Sequence, residues 1–417
     1  MVCVVGPPYL RSLPFRSFGP GRGLEPGSCH GSPRSRPTIV AMPSALVVTV
    51  VHHPGDSRIR GRQIPALLAA GWQVTYAAPF RGYEAVVDPA PGLTTVDLPR
   101  ASGRRRLAAA RAARSLARRA GPRHDIVLVH DPELLVALVG LRLPLVWDVH
   151  EDPAAALAVK DWMPRPLRRS AAAGWRLAER LVERRYPLLL AEYAYQERFR
   201  GRHPVVPNTT IVPERPAPAD LRQPRAVYLG NLTTSRGAQT LVEAARLVHA
   251  ESEGAVLTDV IGPARDRSTR SLLEAAVSDG VLRWHGFVPA AQALALLDGA
   301  VVGLSLLRDL PNYRPSMPTK VVEYLAHGVP VVTTPLPLAA ALVEACEGGV
   351  VVPFDDSRAA ADAVLGLWRD PERAAGMGRR GHALALSRYD WRAGAADFVA
   401  VLEQLLTTGV RPGQGAT

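Results

Sequence analysis

The stretch Ser316-Met317-Pro318-Thr319-Lys320-Val321-Val322-Glu323-Tyr324-Leu325-Ala326-His327-Gly328 brings a cation, a carboxylate and a helix start together. Apolar residues at 321, 322 and 325 form one helix face, Thr319 is the expected N-cap, and Gly328 ends the helix. Lys320 then falls in the first turn, where the helix macrodipole disfavours a cation. A bound anion reverses that penalty, because free N–H groups and the ammonium would face the same charge. The plain alternative is a solvated surface lysine. Against it stands rarity: lysine occurs only at 160 and 320, so 48 of the 50 basic residues are arginine. Lysine is a compact point charge suited to phosphate. Glu323, one turn on, can reach a sugar diol.

Other polar clusters follow apolar runs. Gly230-Asn231-Leu232-Thr233-Thr234-Ser235-Arg236-Gly237 comes after Ala226–Leu229 and opens a helix, with Arg236 near its start. It is neither a GxGxxG nor a P-loop, and a simple strand–helix turn explains it equally well. Earlier, His53-Pro54-Gly55-Asp56-Ser57-Arg58, His130-Asp131-Pro132-Glu133 and Asp148-Val149-His150-Glu151-Asp152 occupy similar positions. Ligands in open α/β sheets bind beyond the carboxyl ends of strands, which is where these clusters fall.

The elements that must position them alternate short apolar strands with amphipathic helices, the grammar of a parallel α/β fold. In the first half the expected strands are Ala45–Val51, Gln73–Ala78, Ile126–Val129 and Leu145–Trp147, with a helix from Arg58 to Ala70 stopped by Gly71. In the second they are Ala226–Leu229, Val256–Ile261, Val281–His285, Val301–Leu304, Val329–Thr333 and Val350–Val352. Helices are expected near Arg236–Ala250, Ser268–Ser278, Ala290–Leu297 and Lys320–His327, and a last one over Trp391–Leu406. Six prolines between Pro204 and Pro224 mark a stiff connection. The expected organisation is a leader (1–43), a first domain (44–212), a linker (213–224), a second domain (225–388), a helix (389–407) packing back on the first, and a tail (408–417). Residues 1–43 are rich in proline and glycine and lack apolar periodicity. Met42 is the expected true start, and a disordered leader is the alternative.

Composition narrows the function classes. The chain of 417 residues is 47% hydrophobic, too apolar for a wholly disordered protein. Three cysteines exclude a disulfide framework and a four-cysteine zinc site. No run of ~18 uninterrupted apolar residues offers a membrane-spanning helix. The net charge of +12 is mostly arginine in a chain rich in alanine, glycine and proline. It permits an anionic partner without requiring one. Two arginine-rich helices, one with Arg104, Arg105, Arg106, Arg111, Arg114, Arg118 and Arg119, the other with Arg165, Arg168, Arg169, Arg176, Arg180, Arg184 and Arg185, are either solvated faces or surfaces for an anionic membrane.

Taken in order and spacing, these motifs resemble the retaining GT-B glycosyltransferases of glycosyltransferase family 4, over about Ser44 to Leu406. The likeness includes Val260-Ile261-Gly262, Trp284-His285-Gly286-Phe287-Val288-Pro289 and Gly328-Val329-Pro330-Val331-Val332. It implies an α/β chain of two Rossmann-like doubly wound domains facing across a cleft. The second would hold a nucleoside-diphosphate sugar and the first a saccharide or lipid-linked acceptor. By the same resemblance, Glu323 contacts the donor ribose. Arg236 contacts the diphosphate, with Lys320, Ser316, Gly230, Asn231 and Gly237 around it, and His130 lies near the reacting sugar as the catalytic candidate. Asp56, Arg58, Asp131, His150 and Glu151 line the acceptor side.

Two departures stand out. Pro315 occupies the place of the family's first glutamate in its EX7E pattern, and Asn231 stands where an arginine is common. Donor-phosphate binding then rests on Arg236 and Lys320. No metal or other cofactor and no nucleic acid is expected, and the expected location is cytoplasmic or peripheral at the inner face of the plasma membrane. The rival readings are a nucleotide-sugar binder or epimerase without transfer, motivated by Pro315, and a nucleic-acid-binding protein, motivated by charge alone.

Overall fold

The residues of Ser44–Val48 alternate between two buried faces: Ala45 and Val47 join one core cluster, Leu46 and Val48 another. A strand buried on both sides belongs in a parallel sheet covered by helices above and below. The computed structural model, which describes residues 42–86, 89–154, 164–264 and 266–408, builds two such sheets. The expected leader up to residue 41, with its question of the start, and the tail from 409 lie outside the described residues.

The first sheet contains β1 (Ser44–Val48), β2 (Gln73–Ala78), β3 (Leu93–Asp97), β4 (Ile126–Val129), β5 (Leu145–Val149) and β6 (Leu188–Leu190), in the order β3-β2-β1-β4-β5-β6. The second contains β7 (Arg225–Leu229), β8 (Leu257–Ile261), β9 (Leu282–Gly286), β10 (Val302–Ser305), β11 (Val331–Thr333) and β12 (Gly349–Val351), in the order β12-β11-β10-β7-β8-β9. All pairings are parallel, and both sheets follow one winding rule. Each therefore has a switch point beside its first strand, β1/β4 and β7/β10, where a crevice opens at the strand ends. The two Rossmann-like doubly wound halves expected from the sequence are both present.

The helices are α1 (Ile64–Ala69), α2 (Arg106–Ala120), α3 (Pro132–Ala137), α4 (Arg165–Glu183), α5 (Ala238–Glu251), α6 (Arg267–Ser278), α7 (Ala290–Ala295), α8 (Thr319–Ala326), α9 (Pro337–Ala345), α10 (Ser357–Arg369), α11 (Pro371–Arg388) and α12 (Trp391–Thr408). Residues 213–224 carry no helix or strand. From α12, Trp391, Phe398, Val399 and Leu402 enter the core of the first half beside Ile64, Leu67 and Tyr76.

Several expectations need correction. β3 and β6 were not anticipated: β3 is a half-exposed edge without clean alternation, and β6 is only three leucines long. α9, α10 and α11 were likewise not anticipated. The expected helix Arg58–Ala70 begins as a π-helical turn, Ile59–Gln63, whose wide bonds include Ile64 N–H to the Ile59 carbonyl. The α-helix starts only at Ile64, next to Pro65, which has no N–H to donate. Thr319 is not the cap of α8. Pro318 holds the N-cap position, without a side-chain hydrogen bond.

Candidate functional site

In the second half, two close backbone approaches shape the strand ends. A Cβ on Gly262 would lie 2.1 Å from the Gly230 carbonyl, and one on Gly237 would lie 1.9 Å from the Leu306 carbonyl. Gly230 itself, at φ +104°, has open space where a Cβ would project. Beside this space α8 begins, and Lys320 behaves unlike a surface lysine. It is 6% exposed, and its Nζ lies 3.6 Å from the centroid of the Tyr228 ring. That Nζ has no hydrogen-bond partner among the described residues, nor have Asn231 Oδ1 and Ser305 Oγ. Burial pushes the Lys320 ammonium well below its ordinary pKa; Arg236 adds to this and Glu323 opposes it. Arg236 Nη1 donates to the Asn231 carbonyl at 3.3 Å, which keeps its guanidinium over the same loop. Burial raises the Glu323 carboxyl, with Arg62 and Lys320 pulling against it. Ser316 is half-buried in the loop leading into α8. A buried ammonium without a protein acceptor fits an anionic ligand.

In the first half, the ends of β1, β4 and β5 converge on Asp148. Arg58 donates to its carboxylate through Nε and Nη2, both at 2.8 Å, and Gln63 Nε2 donates at 2.6 Å. Gln63 Oε1 faces His130 Nε2 at 2.7 Å, and that nitrogen lies 3.4 Å from Asp148. Burial would raise the Asp148 carboxyl, but Arg58 and His130 hold it well below the usual carboxylate range. His130 is 1% exposed, and its Nδ1 has no partner among the described residues.

Asp131 is taken up by the fold. It accepts from the Thr49 hydroxyl and the Val50 and Val51 amides, tying β4 to the end of β1. Arg58 is similarly committed, adding bonds to Asn208 and the Val206 carbonyl. Both were expected to line the acceptor side. In the structure both side chains are buried and hydrogen-bonded within the first half. His150 Nε2 meets His52 Nε2 at 2.9 Å. Burial, with His52 beside it, lowers His150 to about 3, so its ring is neutral. Glu151 is exposed, and Asp56 accepts from the Arg58 and Ile59 amides.

The halves meet at these strand ends. His53 packs against Phe287, ring centroids 4.6 Å apart. Arg62, buried in the π-helical turn, is brought down to about 10 by burial and by Arg58, while Glu323 of the opposite half counteracts this. Glu192, also buried, faces the Asn208 amide and the Met317 backbone N–H just before α8. The sequence reading missed Arg62, Gln63, His52 and Glu192. Arg62 and Gln63 carried no signal beyond lying four and five residues after Arg58. His52 adjoins the His53-Pro54 motif.

Parts of the chain are similar to known proteins. Residues 223–370 match the family model of glycosyl transferases group 1. Over 137 residues the chain is 31% identical to WcaL of Salmonella typhimurium, named as a colanic acid biosynthesis glycosyltransferase. That stretch covers 32% of this chain and 34% of WcaL. The Escherichia coli protein of the same name is 30% identical over 149 residues, covering 35% and 36%. The matched stretch thus spans about a third of the curated relatives' length.

Solved structures match much more of the chain. Sucrose-phosphate synthase of Thermosynechococcus elongatus superposes with a TM-score of 0.69 at 17% identity, over 88% of this chain and 100% of that one. WaaG, a glycosyltransferase of lipopolysaccharide biosynthesis, gives 0.62 at 13% identity, over 86% and 99%. Anabaena HepE, solved with UDP and glucose, gives 0.62 at 15% identity, over 87% and 100%. The fold is GT-B. No helix among the described residues is long and apolar enough to cross a membrane.

Proposed function

We propose that the protein transfers a sugar from a nucleoside diphosphate to a hydroxyl of a saccharide or lipid-linked acceptor, with retention at the anomeric carbon, in cell-surface glycan synthesis. The observation that carries this reading is the buried, unpartnered Lys320 ammonium at the start of α8, with Arg236 beside it and Glu323 one turn on. The group 1 match over this half and the UDP held by HepE support a nucleotide-sugar donor. As the glycosidic bond breaks, negative charge grows on the departing diphosphate. Lys320, Arg236 and the α8 amides are the groups to stabilise it. Glu323 would accept from the ribose hydroxyls, and His130 would lie toward the reacting sugar. A thermal-shift screen of nucleotide sugars, followed by a transfer assay with the best stabiliser, tests the reading. If no nucleotide sugar shifts the melting temperature, it fails.

Pro315, in place of an expected carboxylate, favours a second reading in which the donor is bound but not transferred. Product analysis with and without acceptor separates the two.

A surface pattern on α4 supports a membrane setting for the acceptor. Its exposed Leu167, Leu177 and Leu181 form a stripe beside the exposed Arg169, Arg180 and Arg184. That pattern suits the surface of an anionic membrane carrying a lipid-linked acceptor. Co-sedimentation with anionic but not neutral vesicles is expected, and equal recovery with both would remove the membrane from the proposal.

A further inference from the structure

We infer that His52, His150 and Glu151 bind one divalent ion of the zinc class on the first half's side of the cleft. The His150 Nδ1 lies 3.2 Å from the Asp148 carbonyl oxygen, to which it donates. A neutral ring that donates through Nδ1 carries its lone pair on Nε2, and that atom is 2.9 Å from the His52 Nε2. The His52 Nδ1 in turn faces Asp56 Oδ2 at 3.8 Å. The carbonyl behind the His150 Nδ1 is the outer-shell arrangement that orients a metal-bound histidine and fixes its tautomer, whereas Asp56, beyond hydrogen-bond distance, acts on His52 through its charge. With no ion present, the His52 Nε2–H donates into the His150 lone pair; a metal ion can instead take both Nε2 atoms as ligands.

The surroundings favour the metal. Glu151 offers a carboxylate oxygen, and the three ligand atoms lie within 4.8 Å of one another. The Asp131 Oδ1, 3.3 Å from the His52 Nε2, adds negative charge on the far side. Two imidazoles with one carboxylate suit zinc, cobalt or nickel, whereas magnesium prefers an all-oxygen shell. Three protein ligands leave a coordination position open to water or to an acceptor hydroxyl. Glu151 is exposed, so the site is open to solvent. The leaving-group chemistry proposed above does not pass through this ion.

The test uses the full chain, stripped with a chelator, desalted and titrated without nucleotide, so that its outcome is independent of glycosyl transfer. Calorimetry with zinc chloride is expected to show one ion per chain, and cobalt chloride to produce a visible d–d absorption band. His52→Ala and His150→Ala should each weaken zinc binding at least about tenfold. Glu151→Gln should weaken it less, and His203→Ala, in the separate pair with Glu183, should leave it unchanged. If a histidine variant fails to fold, the cobalt band of the unmodified chain decides. Absence of that band, equal affinity for magnesium chloride, or unchanged zinc affinity in both folded histidine variants would overturn the inference.

Discussion

The Lys320 ammonium rests 3.6 Å from the centroid of the Tyr228 ring, buried and without a hydrogen-bond partner among the described residues. The ring face recovers part of the hydration energy lost on burial, on the order of 1–2 kcal/mol. It does not replace three hydrogen bonds, and the nearby Arg236 repels the same charge. Burial therefore disfavours the charged form in the empty protein, and a phosphate oxygen would restore it.

Replacing Lys320 by methionine should separate folding from binding. Removing a buried unpaired charge while keeping its volume is expected to stabilise the empty chain by about 1–3 kcal/mol. The affinity for UDP or another nucleoside diphosphate should fall at least about tenfold with the loss of one charge-assisted contact. Urea denaturation and calorimetric titration read the two effects. Unchanged nucleotide affinity would mean that the lysine faces no anion.

The same lysine should make nucleotide binding take up a proton. Burial depresses its pKa, so in alkaline solution the native chain holds fewer protons on it than the unfolded chain. Its contribution to stability then rises with pH, up to the ordinary lysine value of about 10.4. A bound diphosphate favours the charged form and reverses the shift. Calorimetry in buffers of different ionisation enthalpy should show proton uptake by the unmodified chain that Lys320→Met lacks.

Glu192 supplies a dependence of the opposite sign. Burial lifts its carboxyl to about 7, despite the Asn208 amide, Arg58 and the Met317 amide drawing it down. Between about pH 4.3, where the unfolded group titrates, and pH 7, the native chain is protonated here and the unfolded chain is not. Stability contributed by this group therefore falls as pH rises through that window and is flat above it. Relative to Glu192→Gln, the unmodified chain should lose about 3 kcal/mol between pH 4 and pH 8. Paired melting curves across that range test it; parallel curves would contradict a raised carboxyl at this position.

Two glycines of the donor loop should respond differently to alanine. At Gly237 a Cβ would meet the Leu306 carbonyl at 1.9 Å, with φ at +81°. That contact can be relieved only by moving backbone, so a loss above ~3 kcal/mol is expected. At Gly230 the new methyl enters open space, and the cost is confined to the left-handed backbone, about 1–2 kcal/mol. It would nonetheless occupy the space proposed for phosphate. Gly230→Ala should fold and bind nucleotide poorly, whereas Gly237→Ala should fail in both measurements.

Arg62 and Glu323 face each other from opposite halves. A double-mutant cycle with Arg62→Met and Glu323→Gln should give a coupling in stability of about 1–3 kcal/mol. A coupling near zero would show that the halves do not communicate through this pair.

The sequence alone determined the two sheets and most of their strands. Runs such as Ala45–Val48 and Ala226–Leu229, apolar on both faces, are stable only when covered on both sides. It also placed His130, Asp131, His150, Gly230 and Lys320 at strand ends or a helix start, because a parallel sheet puts its polar loops there. The expected retention of a sugar and its acceptor remain proposals beyond that placement.

Tertiary structure decided which of these groups are taken up by other groups of the chain and which have no partner among the described residues. Asp131 and Arg58 read as cleft residues from the family resemblance. Long-range partners 82 and 90 residues away consume their hydrogen-bonding capacity. Lys320 read as a first-turn lysine, and only the packing of α8 against β7 shows it buried over Tyr228 without a partner. Arg62 gave no signal, because its interest lies in a glutamate about 260 residues further along the chain. Local pattern fixes periodicity and burial; charge pairing depends on contacts that exist only once both halves have folded.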